Sequence, residues 1–130
     1  LVQALARLVD ARKGPGLSIG LDARPPRDLA RAVEVVVVRT VQEALSNIAR
    51  HSRAARAEVV VAVERLGADR ELVITVTDDG AGTGGAPEGT GLTGMRSRVE
   101  SLGGTLTVDP ARAPDADGRT GTVVEARIPL

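Results

Sequence analysis

LVITVTDDGAGTGGAPEGTGLTGMRSRVESLGG, residues 72–104, is the stretch on which the reading of this chain turns. An apolar, β-branched run ends on two carboxylates, Asp78 and Asp79, crosses two glycine clusters and feeds into an amphipathic helix. The spacing is Asp78-x-Gly80-x-Gly82, a loop of small residues, then Gly89-x-Gly91-x-x-Gly94. Glycine at this density implies a backbone that comes close to something, and the free N–H groups of the following helix point back at the loop. A ligand with a flat polar head and an anionic tail fits such a stretch.

Working outward, residues 57–66 and 71–77 read as two antiparallel strands joined by a hairpin-like turn at residues 67–70. By itself Asp78-Asp79-Gly80 reads first as a plain turn. Downstream, a helix over 93–102 stops at Gly103-Gly104, and strands follow at 105–108 and 122–128. The polar, Pro/Gly-rich link 109–121 is expected to be a mobile surface loop.

Upstream, residues 1–12 form a helical stripe that ends before Gly14-Pro15-Gly16, and 17–21 alternate as a short strand. A long helix is expected over 28–52, capped by Asp28. At about 100° per residue Val37, Val41, Ala44, Leu45 and Ile48 share one face. Glu43, Asn47 and Arg50 lie opposite, with His51 near the boundary. On spacing alone that polar face reads first as solvated, since Glu and Arg favour exposed helix positions. Asn47 is the exception, a poor mid-helix residue whose carbonyl is a hard-cation ligand.

Composition narrows the classes. The 130 residues, 42% apolar and without any apolar run near the roughly 20 residues of a membrane span, suit one α/β domain. Seventeen basic residues balance seventeen acidic ones, so nucleic acid is not an expected partner. With no cysteine and one histidine, a thiolate or His-rich metal site is excluded. Phe, Tyr and Trp are absent, so Val, Leu, Ile and Ala must fill the core and no aromatic can stack on a base. The chain starts inside a helix without an initiator methionine, and is expected to be part of a longer protein. A cytoplasmic location suits it, with room for a membrane anchor elsewhere in that protein.

Two nucleotide motifs are set aside. Gly89-Thr90-Gly91-Leu92-Thr93-Gly94 matches the dinucleotide pattern literally, but loop residues 83–88 stand where that pattern needs a strand. The only lysine, Lys13, belongs to no Gly-Lys-Ser/Thr element, which removes a P-loop. No Gly-x-Ser-x-Gly elbow occurs either.

Four boxes in series resemble a known family: Glu43-x-x-x-Asn47-x-x-Arg50-His51, Asp78-x-Gly80-x-Gly82, Gly89-x-Gly91-x-x-Gly94-Met95, and Gly121-Thr122. In order and spacing they resemble the ATP-binding catalytic domain of bacterial sensor histidine kinases. VQEALSNIARHS and GLTGMRSRVESLGG are similar to the subfamily paired with response regulators that carry helix-turn-helix output domains. The resemblance assigns residues 1–14 to a connector and 15–130 to the catalytic domain.

It implies an α/β two-layer sandwich, a mixed β-sheet under helices in the Bergerat ATP-binding fold shared with gyrase, heat-shock chaperone and mismatch-repair ATPases. The implied cofactors are ATP and Mg²⁺. Asp78 would accept a hydrogen bond from the adenine amino group, with Gly80 and Gly82 giving the base room and Thr122 supporting the pocket. Asn47 would hold Mg²⁺, with Glu43 ordering a water or the metal shell, and Arg50 and His51 would face the phosphates. Gly89, Gly91 and Gly94 would form a lid hinge and an anion nest, flanked by Leu92 and Met95. Arg96 and Arg98 are read here as cations in the helix's first turn, unfavourable to its dipole unless an anion binds. Asp79→Asn is expected to be mild.

The implied partners are a dimerisation segment bearing the phosphoacceptor histidine, in a homodimer, and a response regulator downstream. No histidine precedes residue 17, so the chain would be the phosphoryl-donating half. Two departures stand out: the family often has an aromatic where Val35-Val36-Val37-Val38 stands, and the 109–121 link is longer than its usual counterpart. An anti-sigma-type serine kinase of the same fold, or a nucleotide-sensing module without transfer activity, are the alternatives.

Overall fold

The computed structural model describes residues 1–82 and 90–130, apart from the side chains of His51, Ser52 and Thr90. Elements run in the order α1 (Val2–Arg12), β1 (Ser18–Ala23), α2 (Arg31–Asn47), a π-helical turn (Ile48–Ser52), β2 (Arg56–Leu66) and β3 (Asp69–Asp78). After these come α3 (Thr90–Glu100), β4 (Thr105–Asp109) and β5 (Thr122–Pro129). One five-stranded sheet has the order β1-β2-β3-β5-β4, with β1 parallel to β2 and the other pairs antiparallel.

Alternation decides which face is covered. Val59 and Val61 of β2, Leu72, Ile74 and Val76 of β3, and Val124, Ala126 and Ile128 of β5 are buried together. Leu5 and Val9 of α1, Val37, Val41, Ala44 and Leu45 of α2, and Met95 and Val99 of α3 complete this core. Each such Val, Leu or Ile contributes about 1.5–3 kcal/mol when fully buried, so aliphatic packing replaces the missing aromatics. On the other face Arg127 pairs with Glu125, Glu64 and Glu71 at 2.7, 3.2 and 3.2 Å. The expected two-layer sandwich with a mixed sheet is what forms.

Several boundaries differ from the sequence reading. Asp28 does not cap α2: Leu29 packs against the core, the chain stays extended through Ala30, and Ala30 is the N-cap without any side-chain cap bond. The expected single helix to residue 52 changes to a π turn after Asn47, and Arg53 ends it in the left-handed region at φ 53°. The β2–β3 turn is only Gly67-Ala68, because Leu66 already pairs with Asp69. Helix α3 begins at Thr90, ahead of the expected residue 93, which takes Gly91 into the helix as well as Gly94.

That earlier start also corrects the reading of two arginines. Arg96 lies past the first turn and donates through Nε and Nη2 to the Leu106 carbonyl at 3.4 and 3.2 Å. Arg98 falls in the last turn, where a cation suits the dipole. The stop at Gly103-Gly104 is as expected, with Gly104 N–H donating to the Val99 carbonyl at 3.1 Å and Gly103 N–H to Glu100 at 2.9 Å. The 109–121 link is a surface loop with turns of its own: Asp115 Oδ1 accepts the N–H groups of Asp117 and Arg119 at 2.9 and 3.0 Å.

One clasp joins α2 to the sheet. Asp79 Oδ1 accepts the N–H groups of Ala55 and Arg56, both at 2.9 Å, just where the chain leaves the π turn for β2. Desolvation pushes the Asp79 carboxyl up, but the N–H donors of Arg56 and Ala55 outweigh it and hold it below the ordinary carboxylate range. Asp79 therefore has a structural task that the sequence reading did not see. Its ionised form stabilises the fold above the unfolded pKa, and the contribution is lost as pH falls through the lower folded value. Asp79→Ala is expected to cost about 1–2 kcal/mol at neutral pH, shrinking in acid, as read by urea denaturation across pH.

Candidate functional site

Asp78 is the last residue of β3, and the alternation that buries Val76 buries it as well, at 6% exposure. It lies between Ala57 of β2 and Thr122 of β5. Its Oδ1 accepts the Gly80 N–H at 2.8 Å, while Oδ2 has no hydrogen-bond partner among the described residues. Burial raises its pKa against the opposing Gly80 donor, the negative charge of Asp79 raises it further, and the positive charge of Arg112 lowers it. The result is a buried acceptor with one oxygen available.

The two loops at this strand end meet backbone to backbone. Gly121 N–H donates to the Gly80 carbonyl at 3.0 Å. At Gly121, φ is +64° and an added Cβ would run into the Asp78 carbonyl oxygen; at Gly82, φ is +88° and it would run into Thr120 Oγ1. Glycine is thus required here by loop-to-loop contact.

A second group sits at the end of α2. The Arg50 guanidinium Nη2 donates to Asn47 Oδ1 at 3.0 Å and lies 3.4 Å from Glu43 Oε1. Glu43 and Asn47 are half-buried, so this face is not the plain solvated one that spacing alone allowed. Gly91 of α3 approaches so closely that a Cβ would run into Glu43 Oε1. Gly91 thus brings α3 against the Glu43 side chain. Gly94 is helical too, and an added Cβ would make only an ordinary 3.5 Å contact with Arg98. Met95 is fully buried in the core, and Leu92 is half-buried beside it.

The structure thus brings Asp78, Gly80, Gly82 and Thr122 to one strand end, and Glu43, Asn47, Arg50 and Gly91 to the α2–α3 contact. Gly89 and the His51 side chain lie outside the described residues. Sequence reasoning missed Asp79 and Arg112; the Asp-Asp pair was a signal for the first, whereas nothing local marked the second. Among the described residues no cluster of three His, Cys, Asp or Glu could hold a metal by itself. Asn47 and Glu43 nevertheless offer two converging hard oxygens, which suits a cation that completes its shell from a ligand.

Residues 32–130 match the family described as histidine kinase-, DNA gyrase B-, and HSP90-like ATPase. The chain is 33% identical over 129 residues to the sensor histidine kinase YxjM of Bacillus subtilis, covering 99% of this chain and 29% of that protein. It is 40% identical over 82 residues to the signal transduction histidine-protein kinase/phosphatase UhpB of Salmonella typhimurium, covering 62% of this chain and 16% of that one. The blue-light activated histidine kinase of Erythrobacter litoralis EL346 superposes with a TM-score of 0.77 at 23% identity, over 99% of this chain and 43% of that chain, a likeness of fold. This chain spans less than a third of the length of either curated relative.

A raised carboxylate pKa means that ionisation opposes folding: the stabilising contribution is full below the unfolded pKa and is lost as pH rises through the folded one. Asp78→Asn, which keeps an acceptor for Gly80, is expected to raise the melting temperature of the ligand-free chain near neutral pH. The difference should shrink as pH falls through the folded pKa of Asp78. Thermal melts from acid to neutral pH check this.

Proposed function

Because the chain belongs to the family of histidine kinase-, DNA gyrase B- and HSP90-like ATPases, we propose that it holds Mg·ATP with the base at Asp78 and the phosphates at Asn47. In this reading it is the phosphoryl-donating part of a sensor histidine kinase. The observation that carries it is the buried Asp78 carboxylate, whose Oδ1 takes the Gly80 N–H and whose Oδ2 has no partner among the described residues. Adenine presents an amino donor to that oxygen; guanine would present a carbonyl oxygen at the corresponding position and leave both groups unsatisfied. Gly80, Gly82 and Thr122 border this end, and aliphatic side chains, Leu92 among them, take the place of aromatic stacking.

At the other end, Asn47 Oδ1 and the Glu43 carboxylate would hold Mg²⁺, directly or through water, with phosphate oxygens completing its shell. The bound ion would supply charge neutralisation on the triphosphate. Arg50, which bridges Asn47 and Glu43, carries a cation to the same place and can turn to a phosphate oxygen. His51 is assigned to the phosphates as well. Gly89 and Gly91 would bring the free N–H groups at the start of α3 to the anion.

This domain positions and neutralises; it forms no covalent bond itself. In the whole kinase the γ-phosphoryl would pass to a histidine on separate dimerisation helices, and from there to a response regulator.

Calorimetric titration tests both ends. Asp78→Asn is expected to weaken ATP binding about tenfold to a hundredfold, since a charge-assisted hydrogen bond is lost and a donor can face a donor. Unchanged affinity would remove Asp78 from the site. Asn47→Ala should weaken binding more in Mg²⁺ than in chelator, and equal losses in both would make Asn47 a structural residue.

A further inference from the structure

The folded link between β4 and β5 delivers a cation to the strand end that carries Asp78. Arg112 N–H donates to the Thr120 carbonyl at 3.1 Å, and Asp115 N–H to the Arg119 carbonyl at 3.0 Å, so the link closes as a hairpin. Asp115 Oδ2 takes the Arg112 guanidinium at 3.4 Å, and the side chain remains 40% exposed. Its other nitrogen, Nη1, lies 3.1 Å from the point where a Gly121 Cβ would stand. The Asp78 carbonyl oxygen and the Ala111 methyl crowd the same point, the latter at 3.2 Å. The guanidinium is therefore seated against the Gly121 backbone, at the loop that meets the Asp78 main chain.

The charges facing Asp78 are few. Asp79 follows it and opposes its ionisation, Arg112 favours it, and its paired neighbours Ala57 on β2 and Thr122 on β5 are uncharged. Arg112 also favours the ionised forms of Asp79 and Asp115. The Arg112 guanidinium thus partly offsets the acidic charge at this strand end.

We infer that Arg112 is a positioning residue for nucleotide binding: held beside Asp78 by the Asp115-stapled hairpin, it keeps that carboxylate in its accepting, ionised form and so sets the acid limit of binding. The inference rests on Asp78 being the acceptor for the base. Removing the guanidinium leaves the Gly80 N–H to oppose burial and Asp79 without the help of Arg112, so protonation claims Asp78 at higher pH.

The test titrates ATP into the native chain, Arg112→Gln, Arg112→Lys and Asp78→Asn from acid to neutral pH. The Asp78 carboxyl is followed in parallel by carbon-13 NMR of the ligand-free chain. In Arg112→Gln the acid limb of ATP affinity and the Asp78 titration should both move up by about half a pH unit or more, a partly exposed cation acting across a few ångström. Arg112→Lys should restore both. A uniform loss of affinity with the limb and the NMR titration unmoved would overturn the inference, as would failure of Arg112→Lys to restore them. If Asp78→Asn binds ATP like the native chain, the assignment of the base site itself falls; loss in Asp78→Asn with an unmoved limb in Arg112→Gln sinks only the role of Arg112.

Discussion

The two-residue period of β3 is the constraint from which the rest follows. Leu72, Ile74 and Val76 must face the helices, because a chain without aromatics has no other way to fill the centre of its core. The same register carries Asp78 onto that face, where desolvation works against its charge, and turns Asp79 the other way, toward the N–H groups of Ala55 and Arg56. Adjacent carboxylates are thereby pushed in opposite directions, one kept as an uncomfortable acceptor and the other spent as a clasp. Aliphatic burial around β3 supplies the stability that holds Asp78 in place.

The group of Glu43, Asn47 and Arg50 is oriented by α2. Val37, Val41, Ala44 and Leu45 lock its rotation against the sheet, so Glu43 and Asn47 emerge together beside α3 and Arg50 folds back over them. Gly91 allows the two helices to touch at Glu43. The widened π turn and left-handed Arg53 then deliver the chain to Ala55 and Arg56, where Asp79 fastens it. The polar group on α2 and the carboxylate of β3 are thus linked through a few residues of backbone.

Packing and charge also explain why glycine recurs. At Gly82 and Gly121 the backbone of one loop meets the side chain or carbonyl of the other, with positive φ in each case. At Gly91 the demand is helix-to-helix distance. Gly82, Gly91 and Gly121 therefore each make a close contact within the protein.

Local pattern was enough for the strands and for most of the helical faces, since period-two alternation and the 3.6-residue stripe reflect burial on one side only. The buried face of α2, the Gly103-Gly104 stop and the carboxylate at the end of β3 could all be read in this way. The sequence by itself also determined the absence of aromatic stacking and of a thiolate metal site. It could not place the N-terminus of α3, where helical glycines read as loop, or show that Asp28 leaves α2 uncapped. Nor could it show that Asp79 fastens Ala55 and Arg56, or bring Arg112 near Asp78, 34 positions away in the chain. Those were decided by tertiary structure, because a residue's desolvation and its charged neighbours depend on which strands and loops meet around it, and no local spacing encodes that meeting.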